Sequence, residues 1–389
     1  MDPQALLNLR KFLVPEIVYG NGALALAGRH ASNFGATKVL IVTDAGVAEA
    51  GWTGKVESSL REYGIPYAVF SEVTSNPKDH EVMAGVEAYR RENCDLILAV
   101  GGGSPMDCAK GIGVVVGNDR HILEFEGVDE VNNPGPPMIF IPTTAGTSAD
   151  VSQFAIITDT SRKIKIAIVS KMVVPDISLV DPQTTVTMSP DLTAATGMDA
   201  LCHSFEAFVS NAASAITDMA AFRAVGLIVD NLCGAYSNPT DMAFRDNMMM
   251  ASLMAGMAFS NASLGLVHAM AHSMGGAKDL AHGECNAILL EKVVRFNFPD
   301  ASEKYTRLAA AMGVRVDGLK PVDVADALVE RIAAMREKVG LNRRLRDMGI
   351  APDDIRQLAK NASLDPCMAT NPRVAGPAEI AQLYEEIYQ

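Results

Sequence analysis

The sequence predicts an α/β N-terminal domain over residues 1–185, built on a parallel, Rossmann-like sheet, and an all-α C-terminal domain over residues 186–389. Three observations carry that division. Short apolar runs alternate with amphipathic segments up to about Asp181-Pro182, the pattern of parallel βαβ units. Beyond that point nearly every segment has helical periodicity. Finally, residues 247–277 contain no Asp, Glu, Lys or Arg, as in helices buried inside a large helical body.

The elements follow in order. KVLIVTD (38–44) reads as a strand and VAEAGWTGKVESSLREYG as the helix behind it. PYAVFSEV reads as the next strand, ending at the turn Ser75-Asn76-Pro77. Helical HEVMAGVEAYRREN leads to the apolar strand CDLILAV (94–100), then glycines, the helix PMDCAKGIGVVVG and the strand MIFIPTT (138–144). In the second half LTAATGMDALCHSFEAFVS, DMAAFRAVGLIVDNLCGAY, PVDVADALVERIAAMREKVG and AEIAQLYEEIY all carry the helical period. The charge-free stretch is long enough to span a bilayer. Its serines, its glycines and its two histidines favour a buried helix pair instead.

Composition narrows the function. Of 389 residues 33 are basic and 46 acidic, a net charge of −13, which argues against nucleic acid or an anionic membrane as the main partner. With 49% apolar and 20% charged residues the chain is neither disordered nor collagen-like. The six cysteines form no CxxC pair and read as reduced thiols of a cytoplasmic protein. The N-terminal segment has no apolar core of a signal peptide.

Three polar clusters sit at strand ends. Gly101-Gly102-Gly103-Ser104 follows the strand CDLILAV and opens a helix, where backbone N–H groups can approach a phosphate. Asp107 and Lys110 on the next turns add to that expectation. The motif is not GxGxxG, since Met106 stands at its last glycine. Asp44 ends KVLIVTD, where a carboxylate can accept from a ribose and repel a 2′-phosphate, favouring NAD over NADP. Thr143, Thr144 and Thr147 follow MIFIP, with hydroxyls able to contact a cofactor or to cap the next element.

A metal-type set lies in the helical half. Asp199 and His203 are four apart, as are His268 and His272, so each pair shares one helix face. His282 follows the turn Gly275-Gly276, and four of the chain's seven histidines lie between positions 203 and 282. One carboxylate with imidazoles, in a segment that tolerates no other charge, suits Fe(II), Zn, Mn or Co better than Ca or Mg.

GGGSPMDCAKGIG, PTTAGTSADVS, TAATGMDALCHSFEAFVS and HAMAHSMGGAKDLAHGECNA stand in one order, and DPCMATNPR (365–373) closes the series. In these motifs the chain resembles the iron-containing, or group III, alcohol dehydrogenases over essentially its whole length. The resemblance implies that Asp199, His203, His268 and His282 hold a metal, commonly Fe(II), with Zn, Mn or Ni accepted by the same ligands. It places His272 beside the substrate. It assigns Asp44 to the ribose, Asn76 to the adenine end, and Gly101, Gly102, Gly103 and Ser104 to the pyrophosphate loop of NAD. Thr143 and Thr144 would lie beneath the cofactor, and Ser152, Phe154 and Lys165 would supply the remaining contacts. Two departures stand out: Asp150 where Glu is frequent, and Ser273-Met274 replacing a varied pair close to the pocket.

The implied reaction is reversible hydride transfer between NAD and a small primary alcohol or diol, of ethanol, butanol, propanediol or lactaldehyde type, in a homodimer or larger homo-oligomer. A dehydroquinate synthase-like lyase would need a basic pocket, whereas these motifs supply Met, Ala, Ser and Phe. A scaffold subunit would not need an intact ligand set.

Overall fold

The computed structural model describes residues 10–388, so the N-terminal reading above lies partly outside the described residues. Its first half is a six-stranded sheet in the order β1-β9-β6-β4-β2-β3, every pair parallel. The strands are β1 (Glu16–Tyr19), β2 (Val39–Val42), β3 (Tyr67–Phe70), β4 (Leu96–Gly101), β6 (Met138–Pro142) and β9 (Ile177–Val180). VLIV, LILAVG and MIFIP are buried along their whole length, as expected of a parallel sheet covered on both faces. The covering helices are α1 (Ala27–Asn33), α2 (Ala45–Glu49), α3 (Trp52–Glu62), α4 (Asp79–Arg91) and α5 (Gly103–Asn118).

The segment VAEAGWTGKVESSLREYG, expected as one helix, is two. Gly51 adopts φ +86°, a left-handed conformation open to glycine, and separates α2 from α3. Strands β1 and β9 were not anticipated, nor was a second sheet in the order β5-β8-β7. There β7 (Phe154–Asp159) and β8 (Ile164–Val169) form an antiparallel hairpin, and β5 (Gly127–Val128) pairs parallel to β8.

Beyond Val180 the described residues contain no strand. A 3-10 turn over Pro182–Thr187 leads to α6 (Pro190–Val209), capped by Ser189, whose hydroxyl accepts from the Leu192 N–H. Helices α7 (Ala215–Ser237), α8 (Met242–Ala262), α9 (Leu266–Lys278) and α10 (His282–Asn297) complete the central bundle. Around it lie α11 (Ser302–Ala311), α12 (Pro321–Lys338), α13 (Ile355–Ser363) and α14 (Pro377–Tyr388). The charge-free stretch is α8 plus α9, bent by 99°. Gly265 sits at that bend, where a Cβ would approach Asn371 Oδ1 to 2.7 Å. Among the described residues no single helix is long and apolar enough to cross a membrane; the bent pair meets the length and composition only when both helices are counted together.

The β7–β8 turn is tied by Asp159. Its carboxylate accepts from the Ser161 and Arg162 N–H groups at 2.9 and 3.0 Å, and from Ser161 Oγ and Arg162 Nε. Burial pushes the Asp159 pKa up, but these donors outweigh it and hold the group at about 2. A carboxyl group depressed on folding stabilises above its unfolded pKa and loses that contribution as pH falls toward its folded value. Asp159→Asn is therefore expected to cost about 1–2 kcal/mol at pH 7 and much less near pH 2, in urea denaturation. An equal loss at both pH values would contradict this account.

Candidate metal centre and nucleotide cleft

The sheet reverses its strand order beside β2. The chain steps from β2 out to β3, then returns to place β4 on the other side of β2. Open α/β sheets bind ligands at the carboxyl ends of strands beside such a reversal. Asp44, just past β2, and Gly102, just past β4, flank that crevice. Asp44 Oδ1 accepts from the Val47 N–H at 2.9 Å and caps α2. The glycine loop packs on the threonines after β6: a Cβ on Gly102 would lie 3.1 Å from Thr144 Cγ2, and one on Gly103 3.2 Å from Thr147 Cγ2. The loop is thus a cradle that side chains would fill, at the N-terminus of α5. Gly101 belongs to β4, and its carbonyl accepts from the Thr143 N–H at 2.8 Å; it does not line the cleft. Gly102, Gly103, Ser104, Thr143 and Thr144 do.

Lys110 departs from expectation. It is fully buried, and its ammonium donates to the carbonyls of Ser152 and Phe154 and to Ser152 Oγ, so it faces away from any phosphate on the loop. Asn76 also has a second commitment: its Nδ2 donates to Asp279 Oδ1 at 2.6 Å, and its Oδ1 accepts from Lys165 Nζ at 2.7 Å. That contact joins the turn after β3 to the end of α9 across the cleft. Ser273 and Met274 are buried but do not line the cleft; Ser273 Oγ donates to the Leu358 carbonyl on α13.

The cleft, about 800 Å³, runs from Asp44 to four side chains of the helical half. Helix α6 supplies Asp199 and His203, α9 supplies His268, and the first turn of α10 supplies His282. The Nε2 atoms of His203, His268 and His282 lie 3.7, 3.6 and 3.8 Å from Asp199 Oδ1. All four donor atoms fall within 4.8 Å of one another. Ligands 2.0–2.2 Å from a tetrahedral metal stand about 3.3–3.6 Å apart, so the carboxylate–imidazole spacings are at most a few tenths of an ångström wide of such a site.

Two of the tautomers are set by outer partners. His203 Nδ1 donates to the Gly146 carbonyl at 3.2 Å, and His268 Nδ1 donates to Glu206 Oε2 at 2.5 Å. Their Nε2 atoms therefore converge on the Asp199 carboxylate, a donor set whose chemistry suits a cation among them. The electrostatics agree. Burial pushes the His203 pKa down to about 4 and His282 well down, keeping both as neutral ligands. Burial also works against a charged His268, but Glu206 and Asp199 outweigh it and raise that pKa to about 9. A metal ion held by His268 Nε2 would have to displace that proton. Asp199 is held far below the usual carboxylate range: burial opposes this, and the surrounding imidazoles outweigh it.

His272 lines the cleft beside this set, its ring stacked on His282 at 5.3 Å. Its Nδ1 donates to Asp365 Oδ2 at 2.9 Å, while Asp365 Oδ1 accepts from the Cys367 N–H.

Three residues of the site escaped the sequence reading. Glu206 was legible in principle, because 199, 203 and 206 share one face of an otherwise apolar helix. Asn286, one turn beyond His282, donates to Asp199 Oδ1 at 2.6 Å and lies 3.1 Å from both His268 and His282 Nε2. Asp365 stands in a loop far along the chain and carries no local signal.

A sheet reversal and a carboxylate–imidazole set facing each other across one cleft define a two-part, metal-type oxidoreductase architecture. Residues 15–182 match the family described as "Iron-containing alcohol dehydrogenase", and residues 193–388 match "Fe-containing alcohol dehydrogenase family, C-terminal". The chain is 40% identical to the 1,3-propanediol dehydrogenase of Citrobacter freundii, over 97% of this chain and 98% of that one. It is 38% identical to the NAD-dependent methanol dehydrogenase of Bacillus methanolicus, over 96% and 98%. The fold superposes on a crystal structure of a 1,3-propanediol oxidoreductase with TM-score 0.95 and 40% identity, covering 98% of this chain and 100% of that one. The chain therefore belongs to the iron-containing alcohol dehydrogenases and is an oxidoreductase that interconverts alcohols and aldehydes.

Two variants test the centre. Glu206→Gln keeps the shape but removes the charge behind His268, and is expected to weaken metal affinity by about 10–100-fold in a chelator competition. His268→Ala is expected to abolish stoichiometric metal, by elemental analysis, while NADH binding persists. Turnover by metal-free His268→Ala protein would defeat the ligand assignment.

Proposed function

We propose that the protein transfers hydride reversibly between NAD(H) and a small primary alcohol or diol, in the cytoplasm, as a homodimer or larger homo-oligomer. The carrying observation is the single cleft with a nucleotide cradle at one end and a buried carboxylate–imidazole set at the other. Among small alcohols the propanediols come first, because the relatives include a 1,3-propanediol dehydrogenase at 40% identity. Phe259 and Leu264 beside the ligand set favour a short apolar carbon chain. The free thiols suit a reducing compartment.

Asp199, His203, His268 and His282 would hold the metal. When bound, the metal supplies Lewis acidity toward the substrate oxygen and NAD supplies a hydride acceptor. The rest is the work of the chain. Backbone N–H groups of the glycine loop and the α5 terminus hold the pyrophosphate, and Asp44 accepts from the adenosine ribose. Phe154 and the threonines after β6 orient the reacting end of the cofactor, excluding water. Asp365 fixes the His272 tautomer with the proton on Nδ1, leaving Nε2 to take the substrate proton and pass it to solvent.

A substrate panel of ethanol, 1-propanol, 1,3-propanediol and propanal, read by NADH absorbance under anaerobic conditions, tests the proposal. The highest kcat/KM is expected with a three-carbon substrate, and absence of turnover on every member would overturn it. Asp44→Gly is expected to raise the NADP/NAD ratio of kcat/KM by about tenfold, since a repelling carboxylate is removed. Asp365→Asn is expected to lower kcat about tenfold or more with metal content unchanged. An unaltered kcat would remove Asp365 from the proton path.

A further inference from the structure

Lys110 lies on α5, about two turns beyond the glycine loop, and is buried completely. Its ammonium has three N–H donors and finds three acceptors: the Ser152 carbonyl at 2.8 Å, the Phe154 carbonyl at 2.7 Å and Ser152 Oγ at 3.0 Å. Asp107 and Asp150 offset its charge from either side. A buried ammonium is a costly way to pack a helix on a strand, and an apolar side chain would do so without the desolvation. An apolar side chain cannot hold two carbonyls at a fixed distance from α5.

Those carbonyls belong to residues that face the cleft. Ser152 and Phe154 both line it, and the Phe154 ring lies 5.9 Å from Phe259. Phe259 in turn stacks on the His203 imidazole at 4.2 Å. One continuous packed path therefore runs from the glycine-loop helix, through Lys110 and Phe154, to a member of the candidate ligand set.

We propose that Lys110 is a positioning residue: by locking Ser152 and Phe154 to α5, it sets the distance between the reacting end of the cofactor and the His203 side of the cleft. This rests on the functional reading above and extends it to a residue that touches neither cofactor nor substrate. Hydride transfer is steep in donor–acceptor geometry, so a loosened strut is felt in the chemical step before it is felt in binding.

The test compares wild-type holoenzyme with Lys110→Met and with Lys110→Gln, a milder change that keeps an N–H donor for the carbonyls. Metal content, the NADH dissociation constant, and kcat with 1-propanol and its α-deuterated form are measured for each. For Lys110→Met, metal content and NADH affinity are expected within about threefold of wild type. Its kcat is expected to fall about tenfold or more, and the deuterium isotope effect on kcat to rise as hydride transfer becomes rate-limiting. Lys110→Gln is expected to shift kcat and the isotope effect the same way, by less, and it carries the test if Lys110→Met does not fold. An unchanged kcat and isotope effect in the folded variants overturns the proposal. So does a loss confined to NADH affinity or metal content. Wild-type holoenzyme that transfers no hydride overturns the functional reading itself, and this inference with it.

Discussion

Three imidazole nitrogens and one carboxylate oxygen converge on a single buried point, and the rest of the molecule is arranged around the cost of that convergence. Lone pairs aimed at an anion in a low-dielectric interior repel one another unless a cation or a hydrogen-bond donor stands among them. Holding them there requires stiff support. A twenty-residue helix presents Asp199 and His203 on one face. A bend at Gly265 turns α9 so that His268 meets them, and Glu206 fixes the ring behind it. Residues 247–277 carry no Asp, Glu, Lys or Arg because most of them are packed in the core of the helical half, where an unpaired ion is costly.

The nucleotide half answers a different requirement. A dinucleotide needs backbone N–H groups, a carboxylate for a ribose and room for a pyrophosphate, all at the carboxyl edge of a parallel sheet. The reversal between β2 and β4 supplies that edge, and the glycines keep it clear of Cβ atoms. The two halves meet through polar contacts, such as Asn76 with Asp279 and Ser148 with Ser252, and through an apolar seam in which Ala145, Val151 and Phe154 join the core of the helical half. On the proposed function, catalysis would depend on a fixed separation between the two ends of this cleft rather than on one nucleophile.

Much of this was legible in the sequence for physical reasons. Buried parallel strands read as apolar runs, and an i, i+4 spacing places ligands on one helix face whatever the tertiary context. Some of what escaped detection, Glu206 among it, had a local pattern, and the rest depends on contacts distant in sequence. Strands β1 (EIVY) and β9 (ISLV) each carry a polar residue that shortens the apolar run, unlike VLIV and YAVF. The β7–β8 hairpin did carry a local signal, since FAIITD and IKIAIV are β-branched runs on either side of a polar turn. Lys110 beside a glycine loop suggests a phosphate, yet its direction is decided by carbonyls more than forty residues away. Asp365 meets His272 across 93 positions, which no local pattern announces.

The central claim is that one cation at the Asp199–His203–His268–His282 point is what makes the cleft an enzyme. Anaerobic titration of chelator-treated protein with Fe(II), followed by NADH oxidation on propanal, tests it directly. The rate is predicted to rise linearly and to break at one ion per chain. Full turnover by protein with no detectable metal, or a rate that never responds to added ion, would contradict it.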